Sequence, residues 1–141
     1  MADRNENRPD ACRLSVALPV LSNTGELRKV LEALRNGLAR FPARSEILVA
    51  ADKRLEEVRA LAEQEGAVFV GSDLSGYGEL MLACVGASKG NYILSLDPDA
   101  AHPMDAVRKL WMARKDADVV IASRYVPLSH VEQPMLRHFL S

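Results

Sequence analysis

Apolar residues recur along this chain in two rhythms, one of period two and one of period three to four. Leu14, Val16, Leu18 and Val20 alternate with Ser15, Ala17 and Pro19, small or apolar on both sides, as in a buried central strand that stops at Pro19–Val20. Leu27, Val30, Leu31, Leu34 and Leu38 then follow at helical spacing, with Arg28, Lys29, Glu32 and Arg35 on the wet side. Asn23 with Glu26 three residues later predicts a capping box at the start of that helix. Residues 46–51 form a second buried strand. A second helix carries Leu55, Val58 and Leu61 inward and ends near Gly66. Residues 67–70 predict a third short strand, and 71–78 a glycine-bearing loop. Residues 77–87 predict a third helix with Leu80, Met81, Cys84 and Val85 on its core face. Tyr92, Ile93, Leu94 and Leu96 form a fourth strand, Met104, Val107, Leu110 and Trp111 the stripe of a fourth helix, and Val119, Val120 and Ile121 a fifth strand within 118–123.

Strands and helices thus alternate throughout. This order implies right-handed crossovers and an α/β domain with a mostly parallel sheet. No internal repeat or linker divides it. A polar arm is expected over 1–12 and one domain over 13–141.

Composition narrows the class. At 141 residues, 48% hydrophobic and 26% charged, the chain has the size and balance of one globular domain. A net charge of −1 and 5% aromatics give no support to a nucleic-acid partner. Cys12 and Cys84 have no metal-type spacing, and Cys84 sits in an apolar run as a small core residue. The polar start carries no signal-peptide core, and no apolar run reaches the ~20 residues of a transmembrane segment, so a cytoplasmic location is expected.

Candidate chemistry gathers where the fourth strand ends. Asp97 and Asp99 stand one residue apart there, before His102-Pro103 opens the next helix. Open α/β sheets place ligands at the carboxyl ends of their strands. If the chain stays extended, alternate side chains point the same way, and both acids could face one ion. Mg²⁺ and Mn²⁺ favour such oxygen ligands. Asp-Pro-Asp is equally good turn chemistry, and an acid before a helix suits its dipole. Other nucleotide patterns are absent. Gly76-Tyr77-Gly78 starts a dinucleotide fingerprint, but Met81 stands where its third glycine belongs. There is no Gly-Lys-Ser/Thr phosphate loop and no Gly-x-Ser-x-Gly elbow.

Five stretches in order carry a family resemblance: Leu14 to Val20; Glu46 to Val49; Gly76-Tyr77-Gly78 with Ala87 to Tyr92; Leu96-Asp97-Pro98-Asp99-Ala100-Ala101-His102-Pro103; and Ala117 to Tyr125. With them the chain resembles the N-terminal catalytic half of a family 2 glycosyltransferase with the Rossmann-like GT-A fold. Within that family it is most similar to the dolichyl- or polyprenyl-phosphate sugar (mannose) synthases. The resemblance implies a GDP- or UDP-sugar donor and a lipid-phosphate or other hydroxyl acceptor, with a membrane surface nearby. It implies Mg²⁺ or Mn²⁺ on the catalytic and metal-binding acids Asp97 and Asp99. It implies nucleotide contacts at Pro19, Val20, Asp52, Gly76 and Asp97, and donor- or acceptor-phosphate contacts at Arg124, Arg137 and Ser141. Arginine suits forked contacts with phosphate oxygens.

The sequence departs from the family on the nucleotide side. Pro19-Val20-Leu21-Ser22-Asn23 replaces Pro-x-Tyr-Asn-Glu. Ala51-Asp52-Lys53-Arg54 replaces Asp-Asp-Gly-Ser, so Asp52 matches only the second acid, and helix capping is its competing role. The family usually continues past the equivalent of Ser141, so the acceptor region is expected to be incomplete. These departures keep a second reading open: a non-catalytic GT-A-like binding module whose exposed edge associates with a partner or a second copy.

Overall fold

The computed structural model describes residues 14–22, 25–101 and 103–122. The strands are β1 (Leu14–Val20), β2 (Ser45–Asp52), β3 (Val68–Ser72) and β4 (Tyr92–Ser95), and the helices α1 (Leu27–Leu38), α2 (Glu56–Gln64), α3 (Tyr77–Ala87) and α4 (Pro103–Ala113). The sheet runs β3-β2-β1-β4, every pair parallel. This is the α/β arrangement that the alternating rhythms predict.

The pleat sorts the core into two layers. Leu14, Val16, Leu18 and Val20 of β1, with Ile47, Val49 and Ala51 of β2, pack against Leu27, Val30, Leu31 and Leu34 of α1, Val58 and Ala62 of α2, and Val107 of α4. The intervening Ala17, Leu48 and Ala50 meet Leu80 and Cys84 of α3 on the other face. The split follows from crossover handedness: the chain steps one way through β1, β2 and β3, then turns back past β1 to β4, so the α3 crossover lies opposite α1 and α2. The expected core face of α3 is too wide: Leu80 and Cys84 are buried against Ala17, Leu48 and Ala50, but Val85 is exposed, as is Leu82.

Three further expectations need correction. The 118–122 stretch is not a strand; Val119 and Ile121 are 74% and 82% exposed. An apolar triplet becomes a strand only beside a hydrogen-bonding neighbour, and among the described residues β4 pairs with β1 alone. The capping box fails at its acid: Glu26 is itself the N-cap of α1, without a side-chain cap bond, and its carboxylate takes Lys29 Nζ at 3.0 Å. Asn23 lies outside the described residues, as does the 1–12 arm. Finally, β3 starts one residue later and ends two residues later than expected, because Ala51 and Asp52 of β2 pair with Gly71 and Ser72.

Two polar clasps hold the frame away from the strands' carboxyl ends. Buried Glu65, which caps α2, receives Arg35 Nη1 at 2.6 Å and Arg28 Nη1 at 3.4 Å, tying α2 to α1. On the α3 face of the sheet, Ser15 Oγ donates to Glu46 Oε1 at 2.6 Å and accepts from Gly90 N at 2.9 Å, while Lys89 N donates to the same Glu46 oxygen at 2.7 Å. That network fixes the turn that feeds β4.

Candidate active site

The strands' carboxyl ends open onto four connections: Leu21–Ser22 after β1, Lys53–Leu55 after β2, Asp73–Gly76 after β3 and Leu96–Ala101 after β4. The strand order reverses between β1 and β4, which makes the crevice beside them the topological switch point of the sheet. Asp97 and Asp99 follow β4 directly, and both are exposed there. Leu96 still bonds the sheet, its N–H reaching Ala17 O at 3.0 Å. Beyond it the backbone leaves the extended state: Ala100 N–H bonds Asp97 O at 3.2 Å, with Pro98 and Asp99 inside the turn. Proline at the second position favours that turn. The side-chain alternation expected for an extended Asp-x-Asp therefore ends at Leu96, and any shared direction of the two acids comes from turn geometry.

Asp52 ends β2, and it is a different kind of carboxylate. Only 9% of the residue is exposed. Its Oδ1 accepts Arg54 N and Arg54 Nε, both at 2.9 Å, and its Oδ2 accepts Arg54 Nη2 at 2.5 Å. The guanidinium and the backbone N–H hold its carboxyl well below the usual carboxylate range, and the carboxylate in turn raises the Arg54 pKa. Asp52 does not cap α2, whose N-cap is Leu55. It closes an Asx turn ahead of the helix instead. Lys53 reaches across to β3's connection, where its Nζ pairs with Asp73, and Lys53 N bonds Ser72 O at 2.9 Å. Ser72 Oγ accepts Leu74 N at 3.0 Å. The rim over β2 and β3 is thus made of self-paired charges.

The remaining expected nucleotide positions fall on the same edge. Pro19 and Val20 end β1, and both are buried, the Val20 side chain in the α1 core. Gly76 is the N-cap of α3, with the Glu79 carboxylate folded so close that a Cβ at 76 would fall 2.1 Å from Glu79 Oε2. His102, Arg124, Arg137 and Ser141 lie outside the described residues. The Arg54 fork, the Lys53–Asp73 pair and Glu79 at the α3 start were not expected from the sequence. The Asp-x-Arg spacing at 52–54 was a visible signal for the first; the second joins residues from two connections and needs the fold.

Against a divalent cation, the loop after β4 offers two exposed carboxylates. Neither Asp97 nor Asp99 has an ion pair or side-chain hydrogen bond to another described residue, whereas Asp52 and Asp73 are both engaged by cations. Among the described residues no group of three His, Cys, Asp or Glu side chains could cage a metal. Two exposed carboxylates with the rest of the shell open suit Mg²⁺, which keeps waters and substrate phosphates in its coordination sphere.

Comparison with known proteins agrees with this geometry. The chain is 30% identical over 140 residues to the low-salt glycan biosynthesis hexosyltransferase Agl6 of Haloferax volcanii, covering 91% of this chain and 34% of that protein. It is 31% identical over 94 residues to the dolichol-phosphate mannosyltransferase of Saccharomyces cerevisiae, covering 64% of this chain and 35% of that one. The chain therefore spans about a third of the length of these curated relatives. None of its described helices is long and apolar enough to cross a membrane. The model of the family described as "Glycosyl transferase family 2" matches residues 15–139, nearly the whole length, over the parallel GT-A-like sheet and its carboxyl-end connections, and the chain belongs to glycosyltransferase family 2.

Proposed function

We propose that this chain supplies the donor-binding part of an enzyme that moves a sugar from a GDP- or UDP-sugar to a polyprenyl or dolichyl phosphate. The observation that carries the donor site is the contrast among its acids. Asp97 and Asp99 stand exposed beside the switch point, unengaged by described cations, whereas Asp52 and Asp73 are paired, in a family whose reaction releases a nucleoside diphosphate. These two would hold Mg²⁺ or Mn²⁺ against the diphosphate. A divalent ion there offsets the negative charge that grows on the leaving oxygens. The backbone at Pro19–Val20 and Gly76 lines the approach of the nucleotide, Asp52 faces its base, and Arg124, Arg137 and Ser141 serve the phosphates. The acceptor assignment rests on the mannosyltransferase likeness.

The test is calorimetric titration of GDP and UDP, with and without Mn²⁺, into the native chain and into an Asp97→Ala/Asp99→Ala variant. Metal-dependent binding that disappears in the variant is expected. Binding that persists unchanged in the variant removes the two acids from the site. The self-paired rim at Asp52, Lys53, Arg54 and Asp73 favours a second reading, a family member that binds without turnover. Nucleotide binding without donor hydrolysis or transfer, across a panel of GDP- and UDP-sugars with polyprenyl phosphate, is its signature.

A further inference from the structure

The geometry points to Arg54 as a built-in competitor for the nucleotide base: its guanidinium fork occupies the Asp52 carboxylate that a base would use, so that donor binding requires its displacement. This rests on the donor-binding reading above and specifies how that site is gated. Asp52 is a buried acid at the carboxyl end of β2, one strand away from the reversal between β1 and β4. A buried carboxylate there is a natural reader of a ligand's N–H groups. In this structure its forked acceptor positions are already taken. Arg54 Nε enters Oδ1 at 2.9 Å and Nη2 enters Oδ2 at 2.5 Å, the two-pronged arrangement that an arginine makes best. Guanine presents the same shape to a carboxylate, two adjacent N–H donors from its ring and its amino group. Uracil presents one ring N–H. The internal fork therefore stands in for guanine more fully than for uracil.

Two features suit the guanidinium to be displaced. The Arg54 side chain is 79% exposed while that of Asp52 is 12% exposed, so the arginine can swing into solvent without leaving a cavity. The backbone bond from Arg54 N to Asp52 Oδ1 at 2.9 Å holds the carboxylate in place by itself. The acid thus stays aimed when the side chain departs. Lys53 is meanwhile committed to Asp73 and does not replace the fork.

The experiment compares Mn²⁺-dependent GDP and UDP affinities of the native chain with those of Arg54→Ala and Arg54→Lys, each checked by thermal melting. Both variants lack the fork; the lysine keeps the charge. Both are expected to bind GDP more tightly, by up to about fivefold, the range of releasing one exposed ion pair. A smaller gain is expected for UDP. If Arg54→Ala binds more weakly and Arg54→Lys restores native affinity, the side chain attracts phosphate, and the competitor role is overturned. If the affinities do not change while binding still depends on Asp97 and Asp99, the gate is overturned and the donor site stands. If neither the native chain nor either variant binds nucleotide, the gate and the donor site fall together. Should one variant fail to fold, the other gives the sign of the change.

Discussion

Gly90→Ala isolates a steric requirement with little else attached to it. Gly90 does not have a positive φ; among the described glycines only Gly66 does. Alanine can therefore adopt its backbone, and the cost is contact alone. A Cβ at 90 would fall 2.7 Å from both Ser15 N and Ser15 Oγ, and 2.9 Å from Tyr92 O. Two of these three atoms are backbone within the paired strands β1 and β4, which cannot yield without disturbing the ladder. Overpacking of this kind costs about 1–3 kcal/mol. Displacement of the Gly90 N–H from Ser15 Oγ adds about 0.5–1.5 kcal/mol. Reduced freedom of the unfolded chain returns about 0.4–1 kcal/mol. The net expectation is a loss of about 2 kcal/mol. With an unfolding entropy of roughly 2 cal/mol/K per residue over the whole chain, that lowers the Tm by about 7 °C. Gly86→Ala is the control. It lies in α3, and a Cβ there meets nothing within 4 Å. It is expected to stabilise by up to about 1 kcal/mol through helix propensity. Urea unfolding followed by circular dichroism reads both. A Gly90→Ala variant within about 0.5 kcal/mol of native, or one that shifts in the same direction as Gly86→Ala, would refute the steric argument.

Other expectations follow from the same contacts. Glu65→Ala leaves Arg28 and Arg35 without their shared carboxylate, and since both arginines are half exposed the loss should be about 1–3 kcal/mol, read by denaturant unfolding and largely spared in an Arg28→Ala variant that keeps the 2.6 Å contact. Asp52 binds its proton at a lower pH folded than unfolded, so the unfolded chain takes up the proton first as acid is added. The stability from its Arg54 contacts is complete above about pH 4 and is lost as the pH falls below that. Asp52→Asn should flatten the acid limb of a Tm-against-pH curve and leave its neutral-pH shape unchanged. Burial pushes the Cys84 thiol up, so in a Cys12→Ser background an aromatic disulfide reagent should react only as the chain unfolds; fast reaction of the folded protein would contradict the packing. Gly66, at φ 74° with open space around it, should tolerate asparagine better than alanine, as seen by thermal melting.

What the sequence determined by itself was local. The period-two run at 14–20 and the stripe from Leu27 to Leu38 specify their elements because burial on one face or two leaves a repeating mark. Cys84 could be read as core from its apolar neighbours, and it is buried against Ala17, Leu48, Ala50 and Leu80. The α/β class followed from the alternation, and the collinear motifs led to a family that the comparison bears out. Other features depended on distant parts of the chain meeting. Val119, Val120 and Ile121 have the composition of a strand, but a strand exists only with a neighbour for its N–H and C=O groups. Val85 carries the right spacing for α3's buried stripe, yet only Leu80 and Cys84 of that helix are buried against the sheet, and Val85 stays exposed. The spacing of Asp97 and Asp99 could not decide between extended chain and turn; the Ala100-to-Asp97 bond settles it as a turn. Glu65, which carries no periodic mark in the sequence, is buried under two arginines at least 30 positions away. Charges take their roles from what folding brings beside them, and that information is absent from any window of sequence short enough to show a period.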